Sequence, residues 1–95
     1  MSASAGSQRL DRWLWCARLF RTRAAAAAFV AEQSIRLTRS GALLRVTKPA
    51  HSLKVGDELA FVLGERLVVV CVLEFSKQRV SAADASRLYR PLDIV

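Results

Sequence analysis

The chain has 95 residues, enough for one domain with a modest core and no room for a second. It carries 15 basic and 8 acidic side chains, a formal net charge of +7. Two cysteines, Cys16 and Cys71, and one histidine, His51, show no metal-ligand spacing, so a zinc site is not expected, and the longest apolar run, Leu67 to Leu73, is too short to span a bilayer.

The charge is unevenly spread. Arg9, Arg12, Arg18, Arg21, Arg23, Arg36, Arg39, Arg45 and Lys48 face only Asp11 and Glu32 across the first half, whereas basic and acidic groups balance from Pro49 onward. Such an asymmetry attracts polyanions and speeds their encounter. Unpaired thiols suit a reducing compartment, so a cytoplasmic protein is expected. Residues 1–8 are small and polar without an apolar centre, which reads as a flexible tail rather than a signal peptide.

From Leu10 to Phe20, the positions Leu10, Trp13, Leu14, Ala17 and Phe20 form one helical stripe. The segment Arg9 to Arg23 holds five arginines interleaved with Trp13, Trp15 and Phe20. Guanidinium groups present a rigid donor fork that fits phosphate oxygens, so nucleic acid is the first partner class. Trp13 belongs to the apolar stripe and is expected in the core. Trp15 falls on the other side with Arg12 and Leu19, where packing is favoured over base stacking. Asp11 suits a structural role, as a helix-dipole partner or a bridge to a nearby arginine. Arg18 is read either as a contact or as a solvated last-turn cation.

Thr22 is a fitting N-cap for a second helix that runs through the alanines to Phe29, Val30 and about Glu32. Its start at Thr22-Arg23 combines free N–H groups with a positive dipole end and is a ready phosphate site, with Arg21 beside it. Ile35 and Leu37 then alternate with Arg36 and Thr38 as a half-buried strand. Ser40-Gly41 signals a turn, Val55-Gly56-Asp57 a second, and Gly64-Glu65 a hairpin joining strands over 58–63 and 67–75. The unbroken apolar run of the last strand predicts burial on both faces. Ser81 to Asp84 has the form of an N-cap opening a short helix to about Tyr89, ended by Pro91. The domain layout is therefore a tail over 1–8, a main unit over 9–75 and a C-terminal helix and tail over 76–95. The fold class is α+β: a helix pair packed on a small, mainly antiparallel sheet, with a short C-terminal helix.

Arg9-Leu10-Asp11-x-x-Leu14, Thr22-Arg23-x-x-Ala26, Ile35-x-Leu37, Lys48-Pro49 and Val55-Gly56-Asp57 together resemble the S-four RNA-binding domain. Trp13 and Trp15 with Ala17-Arg18-x-Phe20 and Arg79-x-x-Ala82 to Leu88-Tyr89 resemble, within it, the ribosome-associated fifteen-kilodalton heat-shock proteins. Gln33-Ser34 stands where that family usually has a glycine pair, and Thr38 to Ala42 reads as a loop longer than its usual Asn-Gly hairpin. The resemblance implies binding of ribosomal RNA on the large subunit, in recycling subunits that carry a stalled nascent chain. It also implies that Arg9 and Arg12 on the first helix and Arg36 on the following strand line one RNA surface with Arg21, Thr22 and Arg23, which Arg39 extends from the longer loop.

The expected function is RNA binding by a monomer, with no cofactor, membrane or small-molecule substrate. The alternative is a DNA-binding helix-turn-helix protein, although alanines occupy the second helix where base-reading side chains would stand. An enzyme is not expected, since no nucleophile–base pair, metal cluster or glycine-rich phosphate loop stands out.

Overall fold

The stripe of the first helix is realised: Leu10, Trp13 and Leu14 are fully buried. In the computed structural model, which describes residues 6–92, the chain forms β1 (Gln8–Arg9), α1 (Leu10–Cys16), α2 (Arg23–Gln33), β2 (Ile35–Arg39), β3 (Ala42–Val46), β4 (Ser52–Leu53), β5 (Glu58–Leu63), β6 (Arg66–Val72), a 3-10 turn (Ala85–Arg87) and β7 (Tyr89–Pro91). Five strands make one antiparallel sheet in the order β3-β2-β5-β6-β7, and β1 pairs with β4 in a separate two-stranded ribbon. The architecture is α+β. No helix among the described residues is long and apolar enough to cross a membrane.

The first helix ends four residues before Phe20, at Cys16. Arg18 takes the left-handed conformation at φ 63° and closes the helix: its N–H donates to Trp15 O at 3.0 Å and the Leu19 N–H to Leu14 O at 3.0 Å. These are the paired bonds of a Schellman stop, usually built on glycine. Phe20 leaves the helix yet stays in the core, stacked on Phe61 at 5.9 Å and tilted against Phe29 at 5.2 Å. α2 begins as expected, with the Thr22 hydroxyl accepting from the Ala25 N–H at 2.9 Å. Ala26 and Val30, one turn apart, are its buried positions.

Alternation sets the two faces of the sheet. Ile35, Leu37, Leu59, Phe61, Val70 and Val72 point to the helices and are buried. Arg36, Val62 and Leu67 point the other way and are exposed. The two-face burial expected for the last strand is therefore corrected: Leu67 is 64 % exposed, because both helices pack on the same face and nothing described covers the other.

Two further expectations change. The segment Thr38 to Ala42 is not a long loop. Arg39 pairs with Ala42 across a two-residue turn in which Ser40 and Gly41 both have positive φ, 53° and 81°. That is the backbone of a type I′ turn, whose twist matches a hairpin. The C-terminal helix over 81–89 contracts to a single 3-10 turn. The Ser81 hydroxyl does accept from the Asp84 N–H at 3.2 Å. The chain then leaves helical geometry because Tyr89 adds to the edge of β6 opposite Val72 and its ring meets Trp13 edge-on at 6.3 Å. Pro91 sits in this edge strand, where a missing N–H is tolerated. Of the expected N-terminal tail, residues 1–5 lie outside the described residues, and Gln8 is already paired with Leu53.

Candidate nucleic-acid interface

The start of α1 is held by the loop that follows β3. The Leu10 N–H donates to His51 O at 2.8 Å and the Asp11 N–H to Pro49 O at 3.1 Å. With its backbone committed, Asp11 turns a buried carboxylate toward its basic neighbours. Oδ1 accepts from the Arg12 N–H at 2.7 Å, and both oxygens accept from the Arg9 fork at 3.0 Å. Arg23 Nε stands 3.7 Å from Oδ2. One carboxylate thus ties the start of the first helix to the start of the second, the bridging role expected of it.

Around this anchor lie four of the seven expected contact residues. Arg9 and Arg23 keep about half of their side chains in solvent. Arg21 is exposed beside them, and Thr22 caps the helix. The first N–H groups of α2, on Arg23 and Ala24, have no carbonyl within the helix and add the positive end of its dipole. At this exposure the ion pairs contribute at most about 1 kcal/mol. Their role is placement: the guanidinium groups are set in position before any ligand arrives.

The other three expected residues go elsewhere. Arg12 Nη2 donates to Lys77 O. Arg39 spends its fork on Asp57, at 2.8 Å from Nε to Oδ1 and 2.7 Å from Nη2 to Oδ2, and Nη2 also donates to Ser52 O at 3.0 Å. The hydrogen bond to Asp57 is the main reason that the Arg39 pKa is raised. Arg36 is on the sheet face turned away from the helices, past the C-terminal end of α2. Eleven residues of helix, about 16 Å, separate it from Thr22.

Two residues join the picture that the sequence reading had not assigned. Lys48 is exposed and stands next to Pro49, whose carbonyl accepts from Asp11; its pairing with Pro49 in the quoted motif was the available signal. Arg79 binds the end of α1: Nε donates to Trp15 O at 3.1 Å and Nη2 to Phe20 O at 3.0 Å, with the guanidinium 5.9 Å over the Trp15 ring. Trp15 is thereby packed, as favoured. The irregular segment after β6 is strapped to β1 by Gln8 Nε2 donating to Ser76 O at 2.7 Å, and to α1 by Trp13 Nε1 donating to Glu74 O at 3.0 Å and the Val80 N–H to Cys16 O at 3.1 Å. Beneath it burial pushes the Cys16 thiol pKa up, partly offset by the hydrogen bond and charge of Arg12.

No protein-family model matches the chain. It is similar to the heat shock protein 15 homolog of Haemophilus influenzae, with 30% identity over 82 residues, 86% of this chain and 59% of that protein. The chain therefore spans under two thirds of that relative's length. It is also similar to the trimeric structure of heat shock protein 15 from Vibrio cholerae, with a TM-score of 0.77 and 30% identity, covering 90% of this chain and 82% of that one. Sequence and fold agree, and the chain belongs to the heat shock protein 15 family.

Proposed function

We propose that this chain binds RNA through Arg9, Arg21, Thr22 and Arg23, and that the RNA is ribosomal RNA of the large subunit. The cellular role that follows is recycling of subunits with a stalled nascent chain under heat stress, in the cytoplasm. The carrying observation is that Asp11 gathers Arg9, the residue before α1, and Arg23, the first residue of α2, around the N-terminus of α2. A-form RNA hides its bases in a deep groove and is recognised through backbone and shape, which suits a cluster of this kind. The acting form is a monomer, and the activity is binding rather than catalysis. Against duplex DNA, the exposed positions Ala24, Ala25, Ala28 and Ala31 of α2 carry no group that reaches a base edge.

Co-sedimentation with separated ribosomal subunits tests this reading. The wild type is expected with large subunits, and Arg21→Glu plus Arg23→Glu is expected to stay behind. Equal association of both would remove the proposed surface. With about three phosphates neutralised by Arg9, Arg21 and Arg23, log affinity should fall with log salt at a slope of roughly −2 to −3.

A further inference from the structure

A second surface lies on the uncovered face of the sheet. Arg36 and Arg45 stand directly opposite each other on β2 and β3. Like charges in that position cost stability. Among the described residues neither forms an ion pair, and Arg45 Nε has only the Ser34 hydroxyl, at 3.0 Å. The next strands continue this row with aliphatic side chains, Ala60 opposite Arg36 and Val69 opposite Ala60, and the neighbouring row on the same face pairs Val62 with Leu67. Val62 and Leu67 are 56 % and 64 % exposed. A groove of about 530 Å³ runs here between the end of α2 and the sheet, lined by both arginines, Val62 and Leu67. An uncompensated arginine pair beside bare aliphatic side chains is a local conflict with stability, of the kind retained for a partner.

The chemistry separates the partner classes. Among the described residues no aromatic side chain stands on this face: Phe29 and Phe61, at the groove wall, pack on each other at 5.6 Å and on Phe20. An unpaired base finds no stacking platform. A protein segment with carboxylates beside aliphatic side chains satisfies both the arginines and the apolar row. We propose that this face docks such an acidic, aliphatic protein segment on the large subunit, while the cluster around Asp11 holds RNA. The inference rests on the large-subunit reading above and reassigns Arg36 from RNA to protein.

Val62→Thr plus Leu67→Thr removes the apolar pair while leaving β-branched, uncharged residues in both strands. Binding is measured to intact large subunits and to the RNA extracted from them. The double variant is expected to lose roughly tenfold or more on intact subunits and less than about twofold on the extracted RNA. Arg36→Gln plus Arg45→Gln should follow the same pattern, whereas Arg21→Glu plus Arg23→Glu should lose both. Unchanged binding to intact subunits overturns the proposal. So does an equal loss on extracted RNA, which would make the face a nucleic-acid surface. So does a wild type that sediments as an oligomer which the threonine pair dissociates, since the occupant would then be a second copy. If the wild type binds neither probe, the RNA reading falls and this inference with it.

Discussion

The Asp57 carboxylate, 1 % exposed, grips the Arg39 guanidinium with both oxygens, at 2.8 and 2.7 Å. The same carboxylate accepts from the Lys54 N–H at 2.9 Å, so it also closes the turn that leads into β5. Removing the guanidinium leaves the buried carboxylate without its counter-charge, which costs more than the pair itself contributes. Arg39→Ala is therefore expected to lower unfolding free energy by about 3 kcal/mol, read by urea denaturation. Arg39→Lys keeps the charge but loses the fork, and should destabilise while leaving RNA affinity unchanged. Loss of RNA affinity without loss of stability would instead make Arg39 a direct contact.

Asp11 poses the opposite case, because two mechanisms give opposite signs. Asp11→Asn removes a negative charge beside the cluster, which on electrostatics alone raises RNA affinity. It also frees Arg9 and Arg23, whose ordering must then be supplied on binding, at about 0.5–1.5 kcal/mol for each side chain. The carboxylate is buried and its charge already answered by Arg9 and Arg23, so the ordering of two side chains outweighs its removal. RNA affinity is expected to fall roughly three- to tenfold with little change in salt slope. Tighter binding by Asp11→Asn would show that the arginines act as loose charges.

The helix pair, Thr22 cap, strand alternation and both hairpin positions were legible because each rests on local chemistry: apolar spacing, a hydroxyl at an N-cap, turn residues. Arg36 and Arg39 were not separable by sequence. The two stand three positions apart on β2 and so differ in parity, parity decides which face of the sheet each joins, and Asp57 lies 18 residues from its partner Arg39. The C-terminal segment was read as helix from a sound capping signal. A tertiary event overrode it, the addition of Tyr89 to an open strand edge. The end of α1 was misread for a related reason, since nothing in the sequence marks an arginine that will adopt a left-handed conformation.

Ser34 carries a backbone cost that the sequence hinted at. It caps α2 at φ 62° and ψ 162°, a region used almost only by glycine, and it stands where the S-four resemblance has a glycine. Its hydroxyl accepts one bond, from the exposed Arg45. Ser34→Gly relieves the strain at the loss of that weak bond, and is expected to stabilise the fold by about 1 kcal/mol. A thermal melt checks the sign; a lower midpoint would mean that the Arg45 bond outweighs the strain.

The Cys16 thiol supplies a pH dependence of known sign. Burial raises its pKa above the ordinary 9.0, so the folded state disfavours the thiolate. A group raised on folding contributes fully below its unfolded pKa and loses that contribution as pH climbs through the folded one. Stability is therefore expected to decline above about pH 9. Cys16→Ala should flatten the decline relative to the wild type, whatever it costs in packing at neutral pH. Parallel alkaline profiles for the two proteins would assign the decline to other groups.

Arg79 is the residue on which the C-terminal segment depends. Its two bonds add a second donor to the Trp15 carbonyl, which already accepts from the Arg18 N–H, and supply one to the Phe20 carbonyl beyond the end of α1, and its charge lies over the Trp15 ring. Hydrogen bonds from a charged group contribute about 1.5–3 kcal/mol, so Arg79→Ala should destabilise by that order. Arg79→Lys restores one donor and the charge but not the fork, and should recover less than half. Because the strap covers Trp15, its loss should also shift tryptophan emission to longer wavelength under native conditions. RNA affinity of the folded fraction should hold as long as the Phe20–Arg21 peptide, to which Arg79 donates, keeps its place. A variant that keeps full stability but loses RNA would move Arg79 from the strap to the interface.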